Sequence, residues 1–290
     1  METKKYQVML AVDDTGSFTR VAEELGYTQS GITQMMKSLE KEVGLPLFIK
    51  HNHGVFLTKE AKALIPSIRA MINASEVVNQ EIASMKGAQT GTITIGTFLS
   101  CSIHWIPKII YEFQKDHPDI HFKIIEGLES ELPLWIQQHR VDVGFLSKQE
   151  RESYQFFPVM NDPFYVVLPK DHIYTKFDEI PIELLDKVPF ITADYKPGSD
   201  IHRLFQKYHL NPHIRHNTIN EFSAISMVEH NLGITVIPGL LLRGRSGDFE
   251  VRPIKPNVYR NLGFAYSSAE DLSPATRAFL KYARDFLFDD

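Results

Sequence analysis

Between Ser17 and Pro46 two helical patterns follow one another without slack, and this tight succession constrains the chain more than any other feature. Ser17 fits the N-cap of a short helix from Phe18 to Leu25, and Gly26 fits the left-handed position that closes it. Thr28 caps a second helix from Gln29 to Val43, ended by Gly44 and Pro46. Ile32, Met36, Leu39 and Val43 recur at helical spacing and make one apolar stripe. Ser30, Thr33, Gln34, Lys37 and Lys41 fall on the opposite face, which is short, polar and partly basic. Such a face suits either bulk solvent or the base edges of a DNA major groove. Leu47, Phe48, Val55, Phe56 and Leu57 read as two short strands around His51, Asn52, His53 and Gly54, a small hairpin wing beside the helices.

Charge separates these readings only locally. The whole chain carries a net charge of −5, which excludes a protein coated in basic residues. Between Thr28 and Arg69, however, six bases face three acids, so positive charge collects beside the polar helix face and the wing.

From Thr58 to about Lys86 apolar residues follow a heptad pattern. Ala61, Ile68, Ser75 and Ile82 occupy one position and Leu64, Met71, Val78 and Met85 another, which predicts a long helix whose seam pairs with a second chain. Pro66 kinks that helix or removes one hydrogen bond. Gly87 to Gly91 reads as a hinge. Beyond it, strand-like Thr92–Gly96, His121–Glu126 and Val141–Leu146 alternate with helices, a βαβαβ unit with a parallel sheet. A second set follows, with strands at Phe164–Leu168, Phe190–Thr192, Ile214–Ile219 and Ile234–Ile237 and helices at Asp200–Tyr208 and Glu221–Asn231. Strand Leu262–Tyr266 and a helix from the Ser273 cap to Phe288 return to the first set. Two such lobes enclose a cleft, and ligands of these folds bind beyond the strand C-terminal ends.

Several classes are excluded on composition and motif. One cysteine leaves no intrachain disulfide framework and no multi-cysteine metal site, which places the chain in a reducing compartment, the cytoplasm. The start does not read as a signal peptide, and no run reaches a membrane-spanning length. His202, His209, His213 and His216 do not share a helix face, so no metal site is expected, and no cofactor motif is present. A solute-binding protein or an enzyme on the same α/β cleft is the alternative, but the chain has no glycine-rich phosphate loop or nucleophile elbow.

GSFTRVAEELGYTQSGITQMMKSLEKEVGLPLF followed by VFLTKEA resembles the winged helix-turn-helix and linker-helix entry of LysR-type transcriptional regulators. GTITIG, HWIP, EFQKDHPDI, VDVGFL, YVVLPKDH, NLGITVIP and LSPATRAFL extend the resemblance in order over essentially the full length. The resemblance implies an α/β multidomain protein. Its parts are an N-terminal winged helix-turn-helix (1–58), a long linker and dimerisation helix with hinge (59–90) and a C-terminal effector domain (91–290). That last domain is periplasmic-binding-protein-like (type 2), with one subdomain at 91–161 plus 264–290 and the other at 162–263. The implied protein is no enzyme. Its partners are double-stranded operator DNA, a small-molecule effector of organic-acid or amino-acid-derivative type, and further copies of itself as homodimer or homotetramer through the 59–86 helix.

Residue by residue, the resemblance places Gln29, Ser30, Thr33, Gln34 and Lys37 in the major groove, with Lys50, His51 and His53 near the backbone or minor groove. For the effector it points to Thr97, Ser100 and Cys101 after the first strand and Leu128 after the second. Phe145, Thr192, Ser199 and Asn220 follow other strand ends and complete the expected lining. Cys101 near a helix start also raises redox sensing, against the commoner buried packing role.

Overall fold

The computed structural model describes residues 3–51, 54–86, 89–149 and 154–289. His53 of the expected wing and Gly87 of the expected hinge lie outside the described residues. The chain opens with α1 (Lys4–Thr15), α2 (Phe18–Leu25) and α3 (Gln29–Val43), then a hairpin of β1 (Phe48–His51) and β2 (Gly54–Leu57). The Ser17 hydroxyl accepts the Arg20 N–H at 3.3 Å and Thr28 accepts that of Gly31 at 3.0 Å, so both expected caps form. Gly26 closes α2 at φ 69°, a conformation that costs a side-chain-bearing residue about 1–2 kcal/mol. Ile32, Met36 and Leu39 of α3 are buried against Val8, Met9 and Val12 of α1, an element whose bounds periodicity alone does not set. The Glu40 carboxylate accepts N–H groups of Leu47 at 2.8 Å and Phe48 at 3.2 Å, which fixes the hairpin to α3.

Helix α4 (Lys59–Met85) continues through Pro66. Its heptad seam divides, contrary to the reading of one partner-facing stripe. Ala61 and Ile68 pack into the helix-turn-helix core, and Ser75 and Gln80 are buried further along. Gln80 accepts the Ala275 N–H at 3.3 Å and the Asn73 amide donates to the Asp271 carbonyl at 3.2 Å, docking α4 on the C-terminal domain of its own chain. Met71, Val78, Ile82 and Met85 remain exposed, Met85 at 85%.

The C-terminal domain begins with β3 (Gly91–Thr97), α5 (Leu99–His104), α6 (Ile106–Asp116), β4 (Ile120–Glu126), α7 (Leu132–Gln137) and β5 (Val143–Ser147). Strand β3 pairs in parallel with both β4 and β5, as the alternating pattern predicts. Strand β6 (Gln155–Pro169) is longer than the apolar run Phe164–Leu168 suggests, because it serves both lobes. The second lobe adds β7 (Ile180–Pro181), β8 (Pro189–Ala193), α8 (Asp200–Lys207), β9 (His213–Thr218), α9 (Glu221–Glu229), β10 (Thr235–Pro238), α10 (Gly239–Leu242) and β11 (Phe249–Lys255). Strand β12 (Tyr259–Tyr266) and α11 (Pro274–Asp289) return to the first lobe.

The first part of β6 lies antiparallel to β12, from Tyr259 opposite Pro163 to Tyr266 opposite Gln155. Its last part lies between β10 and β11. The crossing therefore uses two adjacent strands, each continuous with a lobe sheet. Each lobe has its own core. Phe113 meets Phe279 edge-on at 5.4 Å in the first, and Phe190 meets Phe205 at 5.1 Å in the second. Among the described residues no helix is long and apolar enough to cross a membrane.

Candidate DNA-contacting face and effector cavity

With the apolar stripe of α3 buried, its opposite face projects outward. Gln29, Ser30, Gln34 and Lys37 are exposed and Thr33 is half-buried. The Thr33 hydroxyl donates to the Gln29 carbonyl at 2.9 Å, and the Ser30 and Thr28 hydroxyls lie 3.1 Å apart. The two glutamine amides and the Lys37 ammonium are therefore the extended groups of this face. Lys50 and His51 are exposed on β1, with the Lys50 ammonium 5.5 Å from the centre of the Phe18 ring. A lysine ammonium is a point charge, without the fork of an arginine.

The second site lies between the lobes, where loops after β3, β4, β8 and β9 meet the crossing strands around a cavity of about 290 Å³. Leu128, Ser199 and Asn220 line it. Ser199 and Asn220 also cap α8 and α9, accepting from the His202 and Phe222 N–H groups. Gly127 lets the chain pass the Trp135 ring, since a Cβ there would fall 2.2 Å from it.

Five expected lining residues are placed elsewhere, for physical reasons. Thr97 and Thr192 are buried, their hydroxyls donating to the next carbonyls of Phe98 and Ala193. Phe145 is a core side chain packed on Trp105, Phe264 and Phe279. Ser100 is buried and accepts from Arg260 at 2.6 Å. Cys101 is fully buried in the first-lobe core, and burial pushes its thiol pKa up, the reverse of what a reactive thiolate requires.

Sequence reasoning missed the charged partition beside the cavity. Arg260 on β12, 5% exposed, donates to Asp162 at 2.9 and 3.0 Å, to Asp200 at 3.1 Å and to Ser100. Arg203 on α8 pairs with Asp200 and with Glu129 at 2.8 Å, and also donates to the Ser147 hydroxyl at 3.2 Å. The Asp200 N–H donates to Glu129 at 2.9 Å, and the Ser147 hydroxyl donates to the Asp200 carboxylate at 2.8 Å. First-lobe Glu129 and Ser147 are thus tied to second-lobe Asp200 and Arg203. One faint signal exists in the sequence: Asp162 and Arg260 are lone charges just before apolar strand runs.

Burial, reinforced by the Asp200 carboxylate, pushes the Glu129 carboxyl up to about 8. Burial acts the same way on Asp200, but Arg260 and Arg203 outweigh it and hold that carboxyl below its usual range. At neutral pH Glu129 is a neutral acid and two carboxylates balance two guanidiniums. The unfolded chain releases the Glu129 proton near pH 4.5 and the folded chain near 8, so the folded state holds one more proton between them. This contribution makes stability fall as pH rises through that window and level above it. Denaturant midpoints measured from pH 5 to 9 should fall less steeply in Glu129→Gln than in the parent; parallel curves would refute the assignment.

A winged helix-turn-helix joined by a docked helix to a two-lobed domain with an interlobe cavity defines a ligand-responsive DNA-binding regulator. Residues 3–62 match the family model described as bacterial regulatory helix-turn-helix protein, lysR family, and residues 86–287 match the LysR substrate binding domain. The chain belongs to the LysR family of transcriptional regulators. A relative from Bacillus subtilis (strain 168), described as the uncharacterized HTH-type transcriptional regulator YvbU, is 29% identical over 98% of each chain. Full-length OxyR from Pseudomonas aeruginosa shares the fold at TM-score 0.73 and 21% identity, over 99% of this chain and 98% of that one. The effector binding domain of QuiR in complex with shikimate covers 68% of this chain and 97% of its own, at TM-score 0.61 and 23% identity.

Proposed function

We propose that this regulator reads its operator with Gln29, Ser30, Thr33, Gln34 and Lys37 of α3, steadied by Lys50 and His51 of the wing, and that an effector in the interlobe cavity resets it. The observation that carries this reading is α4, which is bonded to both ends of the machine. Arg69 of α4 lies 3.8 Å from Asp14 of α1, and Gln80 and Asn73 hold the C-terminal domain. A change in lobe angle at the β6 and β12 crossing reaches the helix-turn-helix through this rod. The effector acts only through its different affinity for the two arrangements.

The working division is 1–58 for DNA binding, 59–90 for the linker helix and hinge, and 91–290 for the effector domain. The protein works in the cytoplasm and carries out no catalysis. Leu128, Ser199 and Asn220 touch the effector, while Ser100 acts behind them through Arg260.

The exposed apolar stripe of α4 pairs with a second copy, which sets two recognition helices on one operator. Met71→Glu with Val78→Glu should shift sedimentation from dimer toward monomer, because both side chains are exposed in the single chain and charge there repels its copy. An unchanged dimer would place the interface elsewhere.

Lys37→Ala should lower the salt dependence of DNA binding by about 0.9 in log–log slope, one phosphate contact. An unchanged slope would remove Lys37 from the phosphate contacts. Selection of the full-length protein on random duplex DNA tests the function itself: a two-fold symmetric site with half-sites about one helical turn or a multiple apart is expected. A pool without any enriched sequence would contradict the operator reading.

A further inference from the structure

The charge lining the interlobe cavity is one-sided. Six acidic side chains border it, those of Glu126, Glu129, Glu131, Asp194, Asp200 and Glu221, against one guanidinium, that of Arg260. Glu129 is a neutral acid at neutral pH, and Asp200 is compensated by the two arginines. Among the described residues no basic side chain lies within ion-pair distance of the other four. Glu221 is the most telling of them. Protein encloses it on nearly every side, yet it keeps accessible surface and lines the cavity. Burial raises its pKa; its own backbone N–H and the Arg260 guanidinium work against that rise, and the Asp194 and Asp200 carboxylates add to it. Behind it, both carboxyl oxygens of Asp194 are shielded from solvent without a hydrogen bond of good geometry, offset only in part by Lys196 and Ser130. Shielded carboxylates with no cation are costly to keep, and a bound cation relieves that cost.

An anionic group finds no such relief. Arg260 already makes four hydrogen bonds to Asp162, Asp200 and Ser100, and its guanidinium stands 5.0 Å from the Phe98 ring. A carboxylate ligand would meet uncompensated carboxylates and a cation with its partners in place. A metal ion does not fit either, because no three acidic, histidine or cysteine side chains among the described residues converge as ligands. Apart from the helix caps Ser199 and Asn220, the rest of the wall is largely apolar, with Phe98, Leu99, Phe164, Ile219 and Val236.

We propose that the cavity selects an effector carrying a primary ammonium or guanidinium group on a short aliphatic body, the charge facing Glu221 and the hydrocarbon lying on the apolar wall. The proposal rests on reading this cavity as the effector site, and it narrows the effector classes implied by the family to amine-bearing molecules.

Calorimetric titration of the full-length protein with putrescine, agmatine and lysine, and with succinate, benzoate and shikimate at matched ionic strength, tests it. Saturable binding is expected for at least one of the first three and for none of the last three. Glu221→Gln should weaken that binding roughly tenfold or more, the loss of one charge-assisted contact. The same variant should unfold at an equal or higher temperature than the parent when empty, since it removes a repulsion, which separates lost binding from misfolding. Saturation by the carboxylates, no saturation by any of the three cations, or an unchanged affinity in Glu221→Gln would each overturn the proposal. Operator selection on the same preparation is independent of these titrations, so failure of the effector class and failure of the regulator reading are read separately.

Discussion

Arg260→Met is expected to destabilise the C-terminal domain by roughly 3–5 kcal/mol, the cost typical of removing one partner from a buried ion pair. The side chain is 5% exposed and joins Asp162, whose other carboxyl oxygen accepts the Leu240 N–H at 2.8 Å, to Asp200, which is tied to the first lobe. Methionine fills much of the same volume, so the loss measures charge more than packing. Two carboxylates then remain, with Arg203 as the one cation bonded to Asp200 and none bonded to Asp162. Chemical denaturation followed by domain-specific fluorescence from Trp105 and Trp135, the two tryptophans of the chain, measures the change. A loss below about 1 kcal/mol would mean that water or rearrangement compensates the carboxylates, and the partition would not hold the lobes as described.

Gln29→Ala combined with Gln34→Ala should abolish most discrimination between operator and unrelated DNA. A bidentate amide contact to a base edge contributes about 1–3 kcal/mol of discrimination, so two at separate positions contribute roughly 2–6. Both side chains are exposed on α3 and neither supports the core, so folding and dimerisation should be unaffected. Binding to unrelated DNA should persist, because lysine contacts to phosphate carry it. Affinity for operator and for scrambled duplex, measured side by side, checks this. A double variant that keeps its full preference would move base recognition off this face.

The helix-turn-helix was legible because its determinants are local. Ser17, Gly26, Thr28 and Gly44 set boundaries within a residue or two, and the stripe Ile32, Met36 and Leu39 identifies the buried face without knowledge of its partner. The parallel β3–β4–β5 unit was legible for the same reason. The heptad of α4 shows the limit of periodicity: it reveals that two positions are apolar but not which surface covers them. One part of the seam, Ala61, Ile68 and Ser75, is buried within its own chain.

The cavity wall was least legible. Glu129, Asp162, Asp200, Arg203 and Arg260 come from four different elements or loops and meet only when both lobes form. Thr97 ends β3 but is buried, and Phe145, expected after a strand, lies in the middle of β5 and is buried in the core. Position at a strand end selects the neighbourhood of a site, and the direction of each side chain decides membership.

The central claim is that one chain couples operator recognition to the state of its interlobe cavity. Fluorescence anisotropy with DNA upstream of its own gene and with scrambled duplex, across a salt series and for the parent and Arg203→Gln, tests it most directly, because Arg203 of the second lobe bonds Glu129 and Ser147 of the first. The predicted result is tight, salt-dependent preference for the upstream DNA, with an operator affinity that changes in Arg203→Gln although the substitution lies in the C-terminal domain. Equal weak binding to both duplexes, or an operator affinity indifferent to Arg203→Gln, would contradict the account.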